Sequence, residues 1–135
     1  MHDLVPVPFG WIRAAETGLT FRALTDADLL FLARLYASTR VEELAAVPWS
    51  AEQKAAFLDM QFRGQHADYQ HNYPDADWLV LMRAGQDIGR LYLERRPNQH
   101  GIIDIAFLPE HRGRGLGTAL LHDLLDNGLV LIDGS

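Results

Sequence analysis

The chain has 135 residues, of which 48% are apolar and 22% charged, a formal net charge of −6 and no cysteine. These values fit one globular domain over residues 1–135 with a real core; they argue against a nucleic-acid binder and exclude disulfides, thiolate metal sites and a cysteine nucleophile. No apolar run approaches the ~20 residues of a membrane span, and the segment Met1–Pro8 has no basic cluster, so no membrane partner and a cytoplasmic location are expected.

Residues 1–18 show no clear period, and Pro6, Pro8 and Gly10 predict an extended lead-in or edge segment. Leu19–Arg22 reads as a short strand. Thr25 with Asp28 three residues on forms a helix start, and Leu29, Leu32 and Tyr36 continue it at helical spacing, predicting a helix over 26–39. A loop passes through Val47–Trp49. Ser50 and Gln53 form a capping box for a second helix over 51–70, which is expected to carry Phe57, Met60 and Phe62 toward the core. Tyr73–Asp75 stops it. Trp78–Met82 and Ile88–Glu94 make a hairpin about Ala84–Asp87, and Ile102–Leu108 is the next strand. A helix over 116–126 and a last strand over 129–132 follow, separated by Asn127 and Gly128. The order is β α α β β β α β. It predicts a mixed, mostly antiparallel sheet flanked by helices, of the α/β or α+β class, with the last two strands parallel across a right-handed crossover.

Between the strand at 102–108 and the helix at 116 lies Arg112-Gly113-Arg114-Gly115-Leu116-Gly117. A strand, a glycine-rich turn and a helix start in that order make a phosphate cradle. Glycines let the backbone approach an anion, the first helical N–H groups point at it, and arginines fit its oxygens. A Walker phosphate loop is excluded, because it requires a lysine and the single lysine of the chain is Lys54. A dinucleotide fingerprint requires a third glycine where Thr118 stands, and little chain follows the acid at Asp133. The plain alternative is a tight turn with solvated arginines.

The stretch Arg112-x-x-Gly115-x-Gly117 resembles the Q/R-x-x-G-x-G/A motif of the GCN5-related N-acetyltransferases (GNAT). Phe107-Leu108-Pro109-Glu110-His111 resembles that family's lead-in, and Leu120, Leu121, Leu124 and Leu125 resemble its motif helix. The order of elements over residues 19–132 is similar as well. The resemblance implies an acyl-CoA N-acyltransferase-like fold and acetyl-CoA as co-substrate, with no metal. It implies that the amides of Gly113, Arg114, Gly115, Leu116, Gly117 and Thr118, with Arg112, hold the pyrophosphate. Ile105, Ala106 and Phe107 would receive the pantetheine arm like an added strand, and a bulge there would aim an N–H at the thioester oxygen. The acceptor, a small-molecule or peptide primary amine, would attack directly.

Alternation places Asp104 on one face with Ile102, Ala106 and Leu108. It is the candidate general base, and the bland alternative is a carboxylate paired with an arginine. Glu94 reads as a solvated strand end, His111 as a turn residue, and Trp49 and Trp78 as core or pocket-wall residues. His66 and His71 do not share a helix face and make a poor metal pair. The family usually continues with a fourth helix and two strands, which carry a tyrosine acid and an asparagine; no tyrosine follows Tyr92 here. Two readings follow: an N-acetyltransferase completed by a homodimer through the exposed last strand, or a non-catalytic acyl-CoA-binding module.

Overall fold

The computed structural model describes residues 4–5, 12–96, 99–126 and 129–131. They fall into two compact units, one formed by residues 25–74 and the other by the flanking segments.

The flanking segments build the sheet unit. Its elements are β1 (Leu4–Val5), α1 (Ile12–Glu16), β2 (Leu19–Ala23), and, after the inserted unit, β3 (Asp77–Arg83), β4 (Gln86–Arg96), β5 (Gln99–Phe107), α5 (Leu116–Asp126) and β6 (Leu129–Leu131). The strands lie in sequence order, antiparallel from β1 to β5, and β6 is parallel to β5. This is the expected mixed sheet. The lead-in contributes an edge strand, as expected, and a short helix that its lack of period did not reveal. That helix is held by a distant partner: Asp123 of α5 accepts the Arg13 N–H at 3.2 Å, satisfying an orphan donor of the first turn.

One face of the sheet is the core. Leu19, Phe21, Leu79, Leu81, Leu91, Leu93 and Ile102 pack there with Leu116 and Leu120 of α5, and Ile105 and Phe107 border them. Two bulges interrupt the ladders. Leu81 faces Gly89 while Met82 faces Asp87, which leaves Ile88 as the extra residue of β4. Leu93 faces Ile102 while Tyr92 faces Asp104, which leaves Ile103 as the extra residue of β5.

The inserted unit is helical. A 3-10 turn at Asp26–Asp28 leads into α2 (Leu29–Ser38), followed by α3 (Val41–Ala45) and α4 (Ala51–Asn72). The short α3 falls where only a loop was expected. Both helix starts are as read: the Thr25 N–H donates to Asp28 at 2.9 Å, the Ser50 N–H donates to Gln53 at 2.9 Å, and the Gln53 N–H donates to Ser50 at 3.1 Å. In α4 Phe62 is buried, but Met60 is 63% exposed, a correction to the expected core face. Met60 stands two positions from Phe62, about 200° around the helix, so both cannot face inward. No described helix is long and apolar enough to cross a membrane.

Candidate functional site

The phase of the β4–β5 ladder decides what β5 offers outward. Leu108 donates its N–H to the Ile88 carbonyl at 2.8 Å. Backbone groups alternate sides along a strand, so those of Ala106 also point at β4, and those of Ile105 and Phe107 point away from it. Gly89 bears this out: a Cβ there would overlap the Ala106 carbonyl oxygen, which is therefore aimed at β4. Glycine at that position allows β4 to close on the end of β5.

On the opposite side β5 pairs with β6 only at His100, Gly101 and Ile102 among the described residues. The strand runs on to Phe107. The edge carrying the N–H and C=O groups of Ile105 and the N–H of Phe107 thus has no strand partner among the described residues. The Phe107 carbonyl accepts the Arg112 Nε–H at 2.9 Å. The bulge expected at 105–107 sits instead at Ile103. There Ile102 and Ile103 are both buried, and the extra residue is absorbed between two apolar side chains.

The bulge also corrects the placement of Asp104. It puts Ile102 on the core face with Ile105, whereas Asp104 lies opposite Tyr92 on the other face. Simple alternation fails because one added residue inverts the parity of everything before it. On its face Asp104 is ion-paired with the buried Arg90. The Arg90 guanidinium lies 5.0 Å over the Tyr92 ring, and Trp78 meets that ring edge-on at 4.8 Å. The arginine partner was expected as a type but not identified; the signal was Arg90 itself, a charge within an apolar strand.

Beyond β5 the chain makes a 3-10 turn at Pro109–His111. The His111 N–H donates to Leu108 at 3.0 Å and the Arg112 N–H to Pro109 at 3.2 Å. The Nδ1 atom of His111 is buried and has no hydrogen-bond partner among the described residues. Gly113 and Gly115 have φ of +74° and +77°, in the left-handed region where a Cβ is strained. The first rung of α5 is Ala119 N–H to Gly115 O at 2.9 Å, so the N–H groups of Leu116, Gly117 and Thr118 precede the intrahelical ladder. Residues 112–115 and Thr118 are exposed, Gly117 is partly covered and the Leu116 side chain is buried in the core. The Phe107 ring lies 3.4 Å from where a Gly117 Cβ would be, which brings the helix start close to the strand end. The structure therefore brings the end of β5 and the start of α5 together at Phe107 and Gly117, with residues 112–115 exposed between them. The contribution of Gly89 was missed, although a glycine inside a strand pattern marks a close backbone approach.

The other residues singled out lie elsewhere. Glu94 is half-buried opposite Gly101, His71 is exposed, and His66 stacks on Phe62 with centroids 5.7 Å apart. Trp49 is 41% exposed and meets Phe57 edge-on, so it is not a core residue. No metal-binding group of His, Cys, Asp or Glu occurs among the described residues.

The sequence pattern of the acetyltransferase (GNAT) domain matches residues 18–132. No curated protein matches the chain in sequence. Among solved structures, a histone acetyltransferase HPA2-related protein of Corynebacterium glutamicum is similar at 18% identity with a TM-score of 0.56, covering 84% of this chain and 76% of that one. The PaiA N-acetyltransferase of Thermoplasma acidophilum, solved with coenzyme A, gives 17% and 0.53, covering 80% of this chain and 70% of that one. The spermidine N-acetyltransferase of Vibrio cholerae, solved with CoA and spermine, gives 23% and 0.50; this chain is covered over 81% and spans 62% of that one. These likenesses carry the fold alone. With the domain pattern extending over nearly the whole chain and the fold agreeing, the chain belongs to the GNAT acetyltransferase family.

Proposed function

We propose that residues 1–135 act as one acetyltransferase domain that moves an acetyl group from acetyl-CoA to a primary amine by direct attack. The observation that carries this reading is the meeting of the β5 end with the helix start at Phe107 and Gly117, across the glycine turn. A pyrophosphate would lie on the amides of Gly113–Thr118 with Arg114 beside it; two left-handed glycines and the N–H groups ahead of the first α5 rung support this. The pantetheine amides would add to the Ile105 C=O and the Phe107 N–H like a further strand, leaving the Ile105 N–H for the thioester oxygen. The amine lone pair attacks the thioester carbon, an outward β5 N–H stabilises the oxyanion, the C–S bond breaks, and the thiolate and one proton leave. No enzyme nucleophile is needed.

A second reading, a non-catalytic acyl-CoA-binding module, draws on one observation: the carboxylate expected as general base, Asp104, is engaged by Arg90. The experiment is a titration of acetyl-CoA followed by CoA release across polyamines, amino acids and peptide N-termini. Polyamines enter the panel because of the structural likeness to a spermidine acetyltransferase. Turnover with any amine supports the transferase. Binding without turnover supports the module, and no binding overturns both.

A further inference from the structure

The mechanism has a use for every outward group of β5 except the last. The Phe107 carbonyl is the final acceptor on that edge before the chain leaves the strand, and the Arg112 side chain takes it through Nε–H at 2.9 Å. The bond closes a short connection whose other ends are already tied: Leu108 N–H to Ile88 O at 2.8 Å, His111 N–H to Leu108 O at 3.0 Å and Arg112 N–H to Pro109 O at 3.2 Å. Gly113 follows immediately, and with it the amides of the turn.

We propose that Arg112 is a positioning residue that works through its Nε–H on the Phe107 carbonyl, not a phosphate ligand that works through its charge. Its effect is to end the binding edge. An extended polyamide laid along β5 finds the groups of Ile105 and the Phe107 N–H, and then an acceptor at which the Arg112 Nε–H already competes for one lone pair. That competition favours departure from the strand there, toward the amides of Gly113–Thr118. Arg112 thereby sets the register of the arm and the point at which it departs. The functional part of this inference rests on the acyl-CoA reading above; the clamp itself does not.

Side-chain chemistry separates donor from charge. Glutamine carries an amide nitrogen at the fourth side-chain atom, the position of arginine Nε, and has no charge. Lysine keeps the charge but has a carbon at that position. The test compares Arg112→Gln, Arg112→Lys and Arg112→Ala in the full chain, with Arg114→Gln as a control. The first readout is hydrogen exchange without ligand at the amides of positions 111 and 112. The Gln variant and the Arg114 control should stay within about threefold of the parent, while the Lys and Ala variants should exchange about tenfold faster. The second readout is the acetyl-CoA dissociation constant by calorimetry. Here Arg112→Gln should stay within about threefold, and Arg112→Lys should weaken binding about tenfold. Equal behaviour of Gln and Lys, or retention by Lys with loss in Gln, overturns the proposal. Exchange that follows the expected pattern in a protein that does not bind acetyl-CoA overturns the acyl-CoA reading and leaves the clamp standing.

Discussion

The sheet unit and the helical unit are built on different kinds of information. In the sheet unit the candidate site is made of backbone: two left-handed glycines, a glycine against a carbonyl, and a strand edge with no strand partner among the described residues. In the helical unit the backbone is regular, and order comes from caps and from one inward stripe on α4. That stripe is Lys54, Phe57, Leu58, Phe62, Gln65, His66 and Tyr69, each less exposed than the residues outside the stripe and recurring, singly or as adjacent pairs, every three or four residues. The lesson is that side-chain changes should be absorbed on α4, whereas a single methyl in the sheet unit can remove the site.

The strongest way to break that comparison is Gly89→Val. Its Cβ would overlap the Ala106 carbonyl oxygen and force β4 off the end of β5. Denaturant unfolding should show a loss of about 3 kcal/mol, and acetyl-CoA binding should vanish with it. A variant with parental stability and affinity would mean that the close approach positions nothing.

Gly115→Ala tests the turn alone. Left-handed backbone with a Cβ costs about 1.5 kcal/mol, and a turn that relaxes to avoid it should lose about tenfold in acetyl-CoA affinity. Gly117→Ala is the matched control, because a Cβ there makes ordinary contact with the Phe107 ring at 3.4 Å. If calorimetry finds both alanines equally harmful, volume and not backbone conformation governs the turn.

Ser50→Ala gives the smallest effect and sharpens the comparison from the other side. Loss of the reciprocal cap on α4 should cost about 1 kcal/mol of stability, while acetyl-CoA affinity should not move. A drop in affinity as large as that of Gly115→Ala would end the distinction between the two units.

What was legible in the sequence follows the same division. The glycine turn could be read because glycine spacing between a strand and a helix records backbone conformation directly. Both caps could be read because their bonds span three residues. The bulge at Ile103 could not be read: an extra apolar residue in an apolar run leaves no mark, and it reversed the predicted face of Ile102 relative to Asp104. The Arg90 partner of Asp104 was hidden for a related reason, since the pairing depends on cross-strand register. Met60 misled because the α4 stripe includes Lys54, Gln65 and His66, so hydrophobicity does not label its inward face. Helix α1 was missed because it is five residues long and is capped by a carboxylate that lies 110 positions away.

The outer edge of β5 has a consequence for handling the protein. Outward N–H and C=O groups on a strand end are what other extended chains add to, and an open edge of this kind is a template for self-association. Arg112 blunts it by taking one acceptor, and a polyamide cofactor laid on Ile105 would take the rest. On the proposed reading, the bonds that would seat a cofactor would also set colloidal behaviour. Light scattering of concentrated stocks, held well below the unfolding temperature of either form, should show fewer aggregates with coenzyme A than without it.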